Sequence, residues 1–249
     1  MNKSITIIAY NRPDCFEAML RSLTKNDLND WNILVGLEKS DTIDVQLELL
    51  EYFLPQANIF KRSWDVSYNV YGIARNSHDI ITKAFELGSE YNLYLEEDIV
   101  VSPDVTNLAD WHYEIESDAI CLCLLSRPRK KSIVIENPDS AIISCRNKCF
   151  KLHSCPRGFS SYGFGVKKNI FFKHMSPNWF DERGWDMGVI DCINSSGMPV
   201  LLPYKSRSDH IGENGVNVQS KQHLNKLGLG NLEICQENIS KDSFYLIQE

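Results

Sequence analysis

Three consecutive acids, Glu96, Glu97 and Asp98, follow a short apolar run and are the residues whose spacing most directly suggests chemistry. Three carboxylates cannot be packed side by side as anions unless a cation or water relieves their repulsion. Mg²⁺ and Mn²⁺ are hard, oxygen-seeking ions that are commonly shared between acidic side chains and a diphosphate. Two interpretations therefore fit these acids: a divalent-metal site, or a solvated acidic turn after a buried strand.

Polar residues also end the first two predicted strands. Arg12 follows the first strand and offers a fork of donors that suits a phosphate, while Glu38 ends the second and can accept from the N–H of a uracil-like base. Ligands of an open α/β sheet bind beyond the carboxyl ends of its strands, so the segments starting at Ala9, Glu38 and Glu96 are predicted to share one crevice. Ordinary surface roles for Arg12 and Glu38 stay open.

Aromatic and acidic residues cluster at positions 179–187, just before a predicted helix. An aromatic ring such as Trp185 can cover the C–H face of a pyranose, and the carboxylate of Asp186 can take the proton of an acceptor hydroxyl. Asp181 and Glu182 are further candidates for that base. An aspartate here is equally explained as a helix N-cap.

The glycine-containing segment 208–215 follows another strand-like run and carries His210 and Gly212. Its glycines predict a tight turn close to a ligand or to another backbone, and Gly212 is the candidate for that contact. His210 either completes a metal site, touches a diphosphate, or is a hydrogen-bonded structural residue.

The elements that would position these residues follow an alternating pattern. Strands are predicted at 4–9, 31–37, 58–61, 91–95 and 119–125, with helices from Pro13 onward and at 42–53 and 72–87. The predicted fold class is α/β, a Rossmann-like mixed, mainly parallel sheet flanked by helices. Beyond residue 126 the rhythm weakens to β-like pieces near Ile133 and Ile142, an aromatic loop at 156–165, a helix at 186–195 and a strand-like run at 199–204. We therefore expect one compact domain with a nucleotide-binding half, 1–125, and an acceptor-binding half, 126–249.

Composition narrows the classes of partner. The chain has 249 residues, a net charge of -7 and a pI near 5.4, which argues against sequence-independent binding to a nucleic-acid backbone. The basic run 127–131 is either a local basic site or, as we favour, a solvated loop. No window offers the ~20 apolar residues of a membrane span, so we expect a cytoplasmic protein without one.

Eight cysteines could suggest disulfides, but Cys121, Cys123 and Cys192 lie in apolar patterns where free thiols act as small core residues. Cys145, Cys149, His153 and Cys155 form a C-x3-C-x3-H-x-C run, a spacing that is not common among structural zinc sites.

Taken in order, these segments resemble the GT-A glycosyltransferases, and most closely the inverting N-acetylglucosaminyltransferase I family. Residues 8–12 (Ile-Ala-Tyr-Asn-Arg) resemble that family's first-strand I-A-C-D-R, and 71–76 (Tyr-Gly-Ile-Ala-Arg-Asn) its Y-K-I-A-R-H. Residues 95–104 (Leu-Glu-Glu-Asp-Ile-Val-Val-Ser-Pro-Asp) resemble its V-E-D-D-L-E-V-A-P-D. In the second half, Phe164-Gly165 resembles a G-L-G-W turn, and Trp185-Asp186 the family's W-D.

The resemblance implies a GT-A fold and a metal-dependent hexosyltransferase that uses a nucleotide-sugar donor, usually a UDP-sugar. Through it, Arg12 lies near the donor phosphates, Glu38 at the uracil and Asp98 at a Mn²⁺ or Mg²⁺ ion. Glu96 would face the transferred sugar, and Glu97 the ribose or the waters of the metal.

The same matches place Ala9, Arg75 and Asn76 at the donor, with Asp186 as the catalytic base and Trp185 beside it. The implied reaction is a single inverting displacement by an acceptor hydroxyl. Metal and Arg12 would neutralise the diphosphate that leaves.

Two other classes stay open at this point. A sugar-phosphate nucleotidyltransferase would use a similar sheet and acids, but it should carry a Gly-rich basic loop where residues 10–13 read Tyr-Asn-Arg-Pro. A non-catalytic glycan- or nucleotide-binding module would need neither the acids at 96–98 nor Trp185-Asp186. The acceptor is also open: a saccharide, a protein, a lipid-linked saccharide or a modified base.

Overall fold

The computed structural model describes residues 2–62, 70–126, 135–145, 159–213, 220–226 and 228–248. Its strands are β1 (Lys3–Ala9), β2 (Asn32–Glu38), β3 (Asn58–Arg62), β4 (Tyr91–Glu96), β5 (Ile99–Val101), β6 (Cys121–Cys123), β7 (Ala141–Cys145), β8 (Phe164–Lys167), β9 (Val200–Pro203), β10 (Ser208–His210) and β11 (Tyr245–Gln248). Its helices are α1 (Pro13–Leu23), α2 (Ile43–Phe53), α3 (Val70–Glu86), α4 (Val105–Glu114), α5 (Lys168–Ile170), α6 (Trp185–Ser196) and α7 (Lys221–Lys226). A π-helical turn, Phe171–Met175, and a 3-10 turn, Ser176–Asn178, extend α5, and a second 3-10 turn spans Lys241–Ser243.

Local sequence explains why α1 starts and packs as it does. Pro13 occupies the first helical position, where its missing N–H removes no helix hydrogen bond. Phe16, Met19, Leu20 and Leu23 recur at helical spacing and are fully buried in the core. Burying each such side chain stabilises the fold by roughly 1.5–3 kcal/mol. The helix is thereby fixed against the sheet, with Arg12 at its N-cap position.

Nine of the described strands form one mixed sheet in the order β11-β7-β9-β6-β8-β4-β1-β2-β3. The run β4-β1-β2-β3 is parallel throughout, with Ile8 opposite Glu96 and Ala9 opposite Leu37. The carboxyl ends of these strands therefore lie side by side at one edge of the sheet. The mixed, mainly parallel α/β class predicted from the sequence is confirmed.

The second half of the chain departs from the parallel pattern. β8 is antiparallel to both of its neighbours, β4 and β6, so that strands from before and after residue 126 alternate within one sheet. Gly165 lies inside β8, where Phe164-Gly165 had suggested a turn. The division into a nucleotide-binding and an acceptor-binding half stays a prediction.

β6 covers 121–123 and is shorter than the strand predicted at 119–125. Three other sequence expectations concern residues that the structure does not describe. The β-like piece at Ile133, the basic run 127–131 and three members of the possible zinc run, Cys149, His153 and Cys155, lie outside the described residues. Within the described part of the chain, no helix is both long and apolar enough to cross a membrane.

Candidate functional site

Arg12 joins the end of β1 to the acidic turn after β4. Its Nε donates to Glu97 Oε1 at 2.7 Å, and its Nη1 lies 2.7 Å from Asp98 Oδ2. The backbone N–H of Tyr10 donates to the other oxygen of Glu97. Glu97 and Asp98 are 3% and 1% exposed, so these acids do not form a solvated turn. One guanidinium thus contacts two buried carboxylates through different nitrogens, so its single positive charge is shared between them.

A short two-stranded ribbon brings His210 to the same acids. β10 is antiparallel to β5, with His210 opposite Ile99, and the N–H of Ile211 donates to the carbonyl oxygen of Asp98 at 2.9 Å. His210 Nε2 consequently lies 3.0 Å from Asp98 Oδ2, and the ring of Tyr162 covers His210 with 4.8 Å between centroids. The structure thus brings together two residues that the sequence separates by more than a hundred positions.

Gly212 lies directly against Asp98 and Arg12, which is possible only because glycine has no side chain. A Cβ at that position would collide with Asp98 Oδ2 and with Arg12 Nη1. The tight approach predicted for this glycine is therefore an approach to the acidic turn itself.

Burial and charge set different protonation states for the three acids. Burial raises the pKa of Glu96 to about 8, with the charge of Asp98 adding to the effect, and it raises the pKa of Glu97 to about 7 against the pull of Arg12. Burial also acts to raise the pKa of Asp98, but His210 and Arg12 outweigh it and hold the pKa at about 2. Asp98 is therefore the most acidic of the three, whereas burial favours the protonated form of Glu96, which accepts a hydrogen bond from the Tyr94 hydroxyl at 3.0 Å.

Asp98 and His210 are the described side chains of this cluster that could hold a divalent cation. Asp98 Oδ1 and His210 Nδ1 are both buried without a hydrogen-bond partner, and such orphaned atoms call for an explanation. A carboxylate and an imidazole are both ligands that Mn²⁺ accepts. Among the described residues, no group of three or more His, Cys, Asp or Glu side chains is placed to hold a metal. The protein would therefore supply two ligands, and a bound phosphate and water the others.

A second polar cluster lies at the ends of β2 and β3. Glu38 is 5% exposed, and Asn76 Nδ2 donates to both Glu38 Oε1 and the carbonyl oxygen of Gly36, each at 3.1 Å. Arg62 Nε donates to Asn76 Oδ1 at 3.1 Å. Burial raises the pKa of Glu38, while Asn76 and Arg62 oppose that rise. Arg75 lies exposed on α3, beside Asn76 in the chain.

Arg62 is the site residue that sequence reasoning missed. It ends a strand at the same sheet edge as Ala9, Glu38 and Glu96, and that position was the signal that could have identified it.

Trp185 is a core residue in this fold. It is 4% exposed and stacks on Trp179 with 4.5 Å between ring centroids and 10° between planes. Its edge meets the ring of Tyr94 at 5.7 Å. The ring therefore does not present an open face to a sugar here, and the role of Trp185 at the donor stays a prediction.

Asp186 lies in the first turn of α6 and is partly buried. The N-cap is Gly184, so the N-cap interpretation of Asp186 is wrong; its Oδ1 instead accepts from the N–H of Met187 at 3.0 Å. Asp181 is held by Arg183 through two hydrogen bonds of 2.8 and 2.6 Å, which lower its pKa to about 2. The lowered pKa makes Asp181 a weak base, which counts against it as the group that abstracts a proton.

Comparison with known proteins places this geometry on a known fold. No protein-family model and no curated protein sequence matches the chain. Residues 1–349 of S. aureus TarS, solved in complex with UDP-GlcNAc, superpose with a TM-score of 0.62 at 14% identity, covering 97% of this chain and 70% of that chain. The mannosyltransferase PcManGT from Pyrobaculum calidifontis, in complex with GDP-Man and Mn²⁺, gives a TM-score of 0.52 at 11% identity, with 81% and 54% covered.

A longer S. aureus TarS chain gives a TM-score of 0.55 at 14% identity over 84% of this chain, which spans only 36% of that protein. The fold is thus the GT-A fold found in nucleotide-sugar glycosyltransferases, as the sequence predicted. Membership of the N-acetylglucosaminyltransferase I family in particular stays a prediction.

Proposed function

We propose that this protein is a glycosyltransferase that moves a sugar from a nucleotide-sugar, most simply a UDP-sugar, to an acceptor hydroxyl. One observation carries the proposal: at the carboxyl edge of a GT-A sheet, the partly exposed Arg12 and the buried Asp98 and His210 form one cluster whose carboxylate keeps an unpartnered oxygen. Ligands of open α/β sheets bind at this edge. TarS has been solved with UDP-GlcNAc, and PcManGT with GDP-Man and Mn²⁺.

The donor's diphosphate is assigned to this cluster. Asp98 and His210 would hold a divalent ion, which supplies Lewis-acid neutralisation of the charge that develops on the leaving diphosphate. Arg12 donates to the same diphosphate, because a guanidinium fork matches paired phosphate oxygens. Glu38, held in place by Asn76, accepts from an N–H of the base.

Asp186 is proposed to take the proton from the acceptor hydroxyl. The acceptor oxygen bonds to the anomeric carbon from the face opposite the diphosphate, while the carbon–oxygen bond to the diphosphate breaks and its electron pair leaves with the nucleotide. Inversion at the anomeric carbon follows. Two contacts support this pairing of base and donor site: Trp185, next to Asp186, packs on Tyr94, and the Tyr94 hydroxyl donates to Glu96.

The test is nucleotide-sugar hydrolysis across a panel of UDP- and GDP-sugars, with Mn²⁺, Mg²⁺ or EDTA. We expect release of nucleoside diphosphate from one donor, lost with EDTA and in Asp98→Asn. Glu48→Gln, which alters an exposed acid of α2, is the matched control and should behave as wild type. Release of pyrophosphate from a nucleoside triphosphate and a sugar phosphate would instead identify a nucleotidyltransferase. If no nucleotide or nucleotide-sugar reacts, both the glycosyltransferase and the nucleotidyltransferase functions are contradicted.

A further inference from the structure

We propose that Arg12 is an internal counter-ion that keeps the cation position of Asp98 closed until a diphosphate arrives, so that metal and diphosphate bind cooperatively. This inference rests on the proposed function for the identity of the ligand. Its physical basis lies in the contacts that Arg12 makes with the acidic turn.

Arg12 already contacts the Asp98 carboxylate, which would be the ligand of a metal ion. Its Nη1 and the Nε2 of His210 both meet Asp98 Oδ2, at 2.7 and 3.0 Å, while Asp98 Oδ1 has no partner. The Asp98 side chain is 2% exposed. The charge of this carboxylate is therefore compensated by Arg12, while its hydrogen bonding remains incomplete at Oδ1.

A divalent ion on Asp98 would lie next to a permanent positive charge. A guanidinium does not deprotonate in proteins, so Arg12 cannot relieve the repulsion by losing a proton. The Arg12 side chain is 18% exposed, so water screens its repulsion of a nearby divalent ion only in part. The remaining repulsion is enough to weaken metal binding about ten-fold or more. The contact between Nη1 and Asp98 must therefore open before a metal binds tightly.

A diphosphate would offer the Arg12 guanidinium new hydrogen-bond acceptors, so that Nη1 can leave Asp98. Its oxygens accept from Nη1 in place of Asp98, while the 2.7 Å hydrogen bond from Nε to Glu97 remains as an anchor. Release of Asp98 then gives the metal a free carboxylate. By thermodynamic linkage the metal strengthens diphosphate binding by the same factor as the diphosphate strengthens metal binding.

The experiment measures Mn²⁺ binding to the free protein from the electron paramagnetic resonance signal of unbound Mn²⁺, without any sugar or turnover. Arg12→Met removes the charge and keeps an unbranched chain, and Arg21→Met, on an exposed arginine of the same helix, is the matched control. We expect Arg12→Met to bind Mn²⁺ alone about ten-fold or more tightly than wild type and Arg21→Met do. Equal or weaker binding by folded Arg12→Met would overturn the proposal.

A second arm uses only wild type, in case Arg12→Met does not fold. Imidodiphosphate, a non-hydrolysable diphosphate, should tighten Mn²⁺ binding to wild type about ten-fold or more, after correction for the complex that the two form in solution. Independent binding of the two would overturn the proposal. Sugar hydrolysis in a protein that lacks this cooperativity would leave the proposed function standing, so the two failures are distinguishable.

Discussion

Replacing Arg207 by methionine removes the positive half of a buried ion pair and should strongly destabilise the protein. Neither Arg207 nor Asp104 is exposed, and Arg207 Nε lies 2.9 Å from Asp104 Oδ2. Arg207 also donates to the carbonyl oxygens of Lys205, at 2.6 Å, and Asp139. The variant leaves the Asp104 carboxylate buried without its counter-charge, a change that typically costs about 3–5 kcal/mol. Because Arg207 directly precedes β10, the loss also loosens the strand that carries His210.

Urea unfolding followed by tryptophan fluorescence measures this loss. The midpoint should fall with an unchanged m-value, and Tm should drop by roughly 6–20 °C for a chain of this length. Lys205→Met is the control, because the Lys205 ammonium makes a partly exposed pair 3.4 Å from Asp139 Oδ1 and should change stability by less than about 1 kcal/mol. Replacing both partners, Arg207→Met with Asp104→Leu, should recover most of the loss. If Arg207→Met lowers the free energy of unfolding no more than Lys205→Met does, the predicted cost of the unpaired Asp104 carboxylate is wrong.

Three further outcomes follow. Gln46 is fully buried, and neither its amide nitrogen nor its amide oxygen has a hydrogen-bond partner. Because burying unpaired polar atoms costs free energy, Gln46→Met should raise the free energy of unfolding by about 1–2 kcal/mol. A decrease in the free energy of unfolding would count against this prediction. Burial lowers the pKa of His112, which pairs with the Tyr91 hydroxyl, from 6.5 to about 3. As pH falls from about 6.5 towards about 3, His112 gains a proton in the unfolded chain but not in the folded one, so the folded state loses stability. Between pH 7 and 5, the free energy of unfolding of wild type, measured with urea, should therefore fall by up to about 2 kcal/mol more than that of His112→Asn. Equal decreases in the two proteins would contradict this prediction. Asp186→Asn should cut sugar transfer at least about 100-fold with donor affinity unchanged, whereas an equal cut in Asp181→Asn would show the base to be misassigned.

Most of the first half of the fold was predictable because its signals are local. Pro13 starts α1 where expected, and the strands predicted at 4–9 and 91–95 match β1 and β4 to within a residue at each end. Alternation of short apolar strands with helices permits few topologies other than a parallel sheet. The shared sheet edge of Ala9, Glu38 and Glu96 followed from that topology.

The rest of the site depends on pairings between distant segments. Nothing in the local sequence indicates that β10 pairs with β5, and only that register brings His210 to Asp98. Arg12 was expected at phosphates from its place after the first strand, and its contacts with Glu97 and Asp98 could not be read from the local sequence. Composition also cannot separate a sugar-stacking tryptophan from a core one, and Trp185 packs in the core.

In the proposed function, the acidic turn at Asp98 binds the diphosphate of the donor. This binding can be measured by calorimetric titration of the best UDP- or GDP-sugar, with Mn²⁺ present, into wild type, Asp98→Asn and Glu48→Gln. We predict that Asp98→Asn binds the donor at least about 100-fold more weakly, while Glu48→Gln binds as wild type does. Unchanged affinity in a folded Asp98→Asn protein would contradict the claim and place the donor elsewhere.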